Sequence, residues 1–241
     1  MSHVNQTNQV NQLNTGQHEV LLQARGVTKS YPMGASRLEV LRGVDLQVAQ
    51  GEALSIVGAS GAGKSTLLHI LGTLDRPTLG KVFHRGQDLT RLDDDALAAH
   101  RNRSMGFVFQ FHHLLGEFTA LENVAMPLRI AGLGPQEALA QAEKVLRQLG
   151  LEQRLTHRPS ELSGGEQQRV SMARSIVRQP EILFADEPTG NLDTKNAGMI
   201  QELLFSLRET HRLTLIVVTH DLQFAARFPR QVRMRDGVIE S

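Results

Sequence analysis

The chain has 241 residues, 40% of them hydrophobic, which is enough for one sizeable core. A formal net charge of +1 gives no bulk attraction for nucleic acid, and without cysteine there is no disulfide, thiolate metal site or cysteine nucleophile. The longest apolar runs, such as LTLIVV at 213–218, fall far short of the ~20 residues that a membrane-spanning helix needs, and no apolar secretory core opens the chain. The expectation is a soluble, cytosolic chain that reaches a membrane only through a partner.

Residues 1–19, rich in Asn and Gln, read as a disordered tail outside a single domain spanning 20–241. LLQARGVTKSY (21–31) and VLRGVDLQV (40–48) read as half-buried strands. ALSIVG (53–58) is apolar on both faces and is followed by a helical stretch, STLLHIL. GKVFHRG (80–86) resembles another strand, and MGFVF (105–109) another fully buried one. Gly134-Pro135 opens a helix with Ala138, Leu139, Ala142, Val145, Leu146 and Leu149 on one face and Gly150 as its stop. A second helix follows Gly165, with Val170, Ala173 and Val177 on one face, and ends near Pro180. EILFAD (181–186) is a strand, Ala197, Ile200, Leu204 and Leu207 mark a third helix, and LTLIVVTH (213–220) is the last buried strand. VRMRDGVIE (232–240) carries a DG hairpin turn. Strands alternating with helices predict an α/β fold around a mostly parallel sheet, with ligands at the carboxyl ends of its strands.

GASGAGKS (58–65) matches G-x-x-x-x-G-K-[ST] between a strand and a helix, the context this motif requires. Gly58, Ser60, Gly61, Ala62, Gly63 and Thr66 would form the cradle, with backbone amides turned toward phosphate oxygens. Lys64 would reach the β- and γ-phosphates and Ser65 would ligate Mg²⁺. In ILFADE, Asp186 at the strand tip would hold Mg²⁺, and Glu187 would face the attacking water as general base. Gln110 and His220 end other strands, so both converge on the same crevice, Gln110 toward Mg²⁺ and His220 toward the γ-phosphate. LSGGEQQRV (162–170) poses a puzzle. Ser163 and Glu166 form a capping box, yet Gly164 and Gly165 in the first turn each cost roughly 1 kcal/mol against alanine. Bare amides at a helix start suit an anion, so the chain carries a second phosphate cradle.

Taken in order, GASGAGKS, Gln110, LSGGEQQR, ILFADE, NLD (191–193) and His220 resemble the nucleotide-binding subunit of ABC transporters over residues ~20 to 241. The resemblance implies an ABC-type P-loop NTPase domain: a RecA-like core, an antiparallel β-subdomain and an α-helical subdomain at about 95–178. It implies a head-to-tail homodimer with ATP and Mg²⁺ in the interface. Ser163, Gly164, Gly165 and Glu166 would then serve the partner's ATP, which answers the puzzle of the second cradle. It also gives Tyr31, the only tyrosine, to adenine stacking and Asp193 to a loop linking the two sites. Phe111, Leu114, Leu115 and Phe118 would dock integral membrane subunits at the cytoplasmic face of a Gram-negative inner membrane. The stretch QFHHLL…FTALENVAMPL resembles the branch that powers lipoprotein release by mechanotransmission. A related exporter or cell-division ATPase is the alternative within the family. A soluble clamp on nucleic acid or ribosome is the alternative outside transport, and near-neutral charge with one cassette argues against it.

Overall fold

The computed structural model describes residues 19–34 and 36–240, so the expected tail at 1–19 lies outside the described residues except for Glu19. The chain opens on a long antiparallel pair, β1 (Val20–Met33) and β2 (Ser36–Ala49). β3 (Ala53–Gly58) and α1 (Lys64–Leu71) follow, then β4 (Leu79–His84) and β5 (Gln87–Asp88). Next come α2 (Asp94–Ser104), β6 (Met105–Phe109), α3 (Ala120–Ile130), α4 (Pro135–Gln148) and α5 (Gly164–Ile176). The chain finishes with β7 (Ile182–Asp186), α6 (Thr194–His211), β8 (Thr214–Val218), α7 (Leu222–Ala225), β9 (Arg230–Arg235) and β10 (Val238–Ile239).

The strands form a four-stranded antiparallel sheet, β2-β1-β4-β5, and a six-stranded sheet, β10-β9-β3-β8-β7-β6. In the larger sheet every pairing is parallel except the β9–β10 hairpin. Asp236 and Gly237 turn that hairpin with φ of 47° and 82°, the left-handed pair an Asp-Gly turn supplies. The central strands are buried on both faces, and their alternation divides the core. Ile182, Phe184, Ile216 and Val218 face the cluster shared with α1 and the antiparallel sheet. Leu183, Ala185, Leu215 and Val217 face the cluster shared with α3, α4, α5 and α6.

On α4 the expected stripe is buried at Ala138, Ala142 and Leu146, with Leu139 and Val145 packed at its edge. Gly150 follows at φ 68°, the left-handed stop a glycine accepts. α2 and α3 were not among the helices predicted from sequence. α2 buries only Leu97, His100 and Ser104, and Asp93 caps it by accepting from the Ala96 amide at 2.8 Å. α3 holds Pro127 in its interior and starts on a Thr119–Glu122 capping box. No helix among the described residues is long and apolar enough to cross a membrane.

Candidate nucleotide site

The register of the large sheet lines up the site. Phe109, Asp186 and Val218 pair across β6, β7 and β8, and Val218 also pairs with Ile56. Gln110, Glu187 and His220 therefore leave the sheet at one edge, beside the loop that joins β3 to α1. In that loop Gly61 and Gly63 adopt φ of 79° and 96°, and a Cβ on Gly63 would lie 2.9 Å from both the Val40 carbonyl oxygen and Leu41. Gly63 caps α1 without any side-chain bond among the described residues, so the helix presents its first amides to the loop.

The Lys64 ammonium folds over this loop and donates to the carbonyls of Gly58 and Ala59, each at 2.9 Å. Ser65 donates to one oxygen of Asp186 at 2.9 Å, and His69 Nε2 lies 3.5 Å from the other. Glu187 sits at φ 46° with its amide on the Val218 carbonyl at 2.9 Å. Its carboxylate lies 2.8 Å from His220 Nδ1, which places the ring proton on that nitrogen, and accepts from the His220 amide at 3.3 Å. Gln110 is turned sideways: its amide donates to Asn191 Oδ1 at 2.9 Å, and Asn191 donates back to the Gln110 carbonyl at 3.2 Å.

Tyr31 is half-exposed near the end of β1, with the Thr66 side chain beside its hydroxyl. That hydroxyl donates to Asp75 at 2.8 Å. Partial burial and then the Asp75 carboxylate push the phenol above its usual pKa.

At the start of α5 the Ser163 hydroxyl accepts from the Glu166 amide at 3.3 Å, and the Glu166 carboxylate accepts from the Ser163 amide and hydroxyl at 2.8 Å each. The second Glu166 oxygen takes Arg154 Nε at 2.7 Å. Arg154, then the Ser163 amide, pull the Glu166 pKa down to about 2. Both Glu166 carboxylate oxygens are thus engaged inside its own chain. Gly165 has no room for a side chain, because a Cβ would lie 2.9 Å from the Asn196 amide oxygen. Asp193 caps α6 on the Asn196 amide at 3.0 Å, and that bond holds its carboxyl below the usual range. The NLD loop and the glycine-rich helix start thus pack together within one chain.

The expected docking residues divide. Phe111, Leu115 and Phe118 are exposed, and Leu114 is partly buried against the helical core. Arg174 on α5 donates to the carbonyls of His112 and His113 at 2.8 Å and 2.7 Å, which ties this stretch to the helix carrying LSGGEQQR. Beside it runs a groove of about 360 Å³ lined by Phe107, Phe109, Pro127, Ile130, Arg174 and Arg178. Lys29, His69, Asp75, Arg154 and Arg174 were not singled out from sequence. Their partners lie far along the chain, whereas Asn191 belongs to the NLD motif.

Residues 41–190 match the family model for the ABC transporter. The chain belongs to the ABC transporter family. It is an ATP-binding ABC ATPase, with the RecA-like core and flanking sheet and helices of that fold. The lipoprotein-releasing system ATP-binding protein LolD of Bdellovibrio bacteriovorus is 56% identical over 220 residues, 91% of this chain and 100% of that protein. LolD of Geobacter metallireducens is 56% identical over 217 residues, 90% of this chain and 96% of that protein. The dimeric structure of MJ0796, a bacterial ABC transporter cassette, superposes with a TM-score of 0.85 at 41% identity, covering 92% of this chain and 97% of that one. A second MJ0796 dimer, in a post-hydrolysis state bound to ADP and Pi, gives a TM-score of 0.85 at 40% identity.

Proposed function

We propose that this ABC ATPase is the energy-coupling subunit of a lipoprotein-releasing complex, bound at the cytoplasmic face of an inner membrane to integral membrane subunits. The observation that carries the reading is the 56% identity to LolD along nearly the full length of both chains. The site's geometry supplies the chemistry. Lys64 and the amides of 58–66 bind the phosphates, Glu187 takes the proton of the attacking water, and His220 holds the Glu187 carboxylate in place. Mg²⁺ fits the oxygen donors at hand: Ser65 Oγ and Asp186 Oδ1 lie 2.9 Å apart, and the Gln110 amide oxygen is the third candidate. When bound with ATP the ion would neutralise phosphate charge.

The reading includes a homodimer in which Ser163, Gly164 and Gly165 reach the partner's γ-phosphate, while Glu166 serves its own helix as a cap. Asp193 starts the helix that braces this cradle. Phe111, Leu115 and Phe118, with the groove beside them, form the membrane-subunit face. The domain comprises residues 20–241, with its helical subdomain at about 95–178.

Co-purification from gently solubilised membranes of the native host tests the assignment. Two different membrane subunits with large periplasmic domains, together with lipoprotein, are expected. A single kind of membrane subunit would move the chain to a related exporter or division complex. Ribosomes or nucleic acid without membrane protein would overturn the transport reading.

A further inference from the structure

An exposed tyrosine ring normally turns freely, but Tyr31 does not have that freedom. Asp75 accepts from its hydroxyl at 2.8 Å. Lys29 Nζ lies 4.8 Å from the ring centroid, over one face. That ammonium is itself fixed, donating to Asp75 at 2.6 Å and to the Arg76 carbonyl at 2.8 Å. The Arg76 amide closes the set on Asp75 at 2.8 Å. Burial opposes ionisation of Asp75, but the bonds from Lys29, Tyr31 and Arg76 outweigh it and hold the carboxyl below its usual range. Asp75 lies just beyond α1, whose first turn carries Lys64, Ser65 and Thr66. One carboxylate therefore ties the tyrosine near the end of β1 to the segment just beyond the helix that begins the phosphate cradle.

We propose that Asp75 and Lys29 are positioning residues for the nucleobase: they hold the Tyr31 ring with one face backed by an ammonium and the other open for a purine to stack on. The proposal rests on the reading of Tyr31 as the base-stacking residue and names what orients it. An immobilised ring loses little further freedom when a base lands on it, so the pair raises affinity by pre-organisation and contacts no part of the nucleotide.

The test compares ATP with inorganic tripolyphosphate, which shares the phosphates and lacks the base. The intact wild-type chain, Asp75→Ala, Lys29→Met and Tyr31→Ala are titrated with both. Asp75→Ala is expected to weaken ATP about three- to tenfold while leaving tripolyphosphate unchanged, the scale of one aromatic contact. Equal weakening of both probes, or an ATP-to-tripolyphosphate ratio equal to wild type while Tyr31→Ala collapses it, overturns the proposal. If Tyr31→Ala leaves the ratio unchanged, the Tyr31 reading itself falls and takes the proposal with it. Should Asp75→Ala fail to fold, Lys29→Met carries the same comparison.

A second readout is built into the composition, because the chain has one tyrosine and no tryptophan. A carboxylate that accepts from a phenol quenches its emission, so intrinsic fluorescence reports the Tyr31–Asp75 bond alone. Emission must rise in Asp75→Ala. Emission equal to wild type would mean that the bond does not hold the ring in solution.

Discussion

At Glu187 the backbone takes a left-handed turn, and the side chain is then held by His220. A carboxylate fixed at the end of a buried strand is suited to accept a proton from water, and the amide of glutamine is not. Glu187→Gln should cut ATP turnover by ~10²–10⁴-fold with ATP affinity retained, as measured by phosphate release beside calorimetry. Lys64→Ala removes a charged donor from the phosphates, so ATP affinity itself should fall by about ten- to a hundredfold. Unchanged nucleotide binding in that variant would refute the cradle. Roles at this scale were legible where the chemistry is local in sequence. The phosphate loop is one unbroken stretch between a strand and a helix, and Asp186 and Glu187 simply end an apolar run. The bonds that orient these residues were not legible. Lys29 meets Asp75 across 46 positions, and Gln110 meets Asn191 across 81, so nothing in a local window pairs them.

At the scale of the helix, α1 and α5 begin differently. α1 starts on an uncapped glycine, whereas α5 starts on a serine closed by its own glutamate. The capping box was readable from its spacing, but the crowding at Gly165 by the Asn196 side chain from α6 was not. Ser163→Arg should leave ATP binding to the monomer intact and abolish ATP-induced dimerisation, with sedimentation in the Glu187→Gln background as the readout. A dimer that still forms would remove α5 from the interface. α2 escaped the sequence reading because its buried side is too sparse to give a period, although Asp93 followed by two further acids marks a helix start.

At the scale of the molecule, a pair of histidines is buried where β4 and α2 approach Glu181, just before β7. His84 Nδ1 and His100 Nε2 lie 3.1 Å apart, and Glu181, Arg85 and Arg103 complete the charged surroundings. Burial, with the neighbouring cations and against Glu181, lowers the His84 pKa to about 4 from the model-peptide 6.5. The ring is neutral in the fold and takes up a proton on unfolding. Stability is therefore full above about pH 6.5 and falls toward pH 4, by on the order of 3 kcal/mol. Glu166, held near 2, adds a separate loss below about pH 4.5. Denaturant midpoints taken across pH should show both slopes, and His84→Leu should flatten only the upper one. The architecture itself was legible because the central strands are apolar on both faces, which only a doubly covered sheet accommodates.

The groups assigned to phosphate have internal partners in the fold: Lys64 on two loop carbonyls, Ser163 on Glu166, Glu187 on His220. Nucleotide capture is then an exchange of hydrogen bonds and adds few to the total, so each contact contributes only the difference between two satisfied states. Such a molecule is not left with stranded charges when the γ-phosphate departs. Every group has an internal partner to return to.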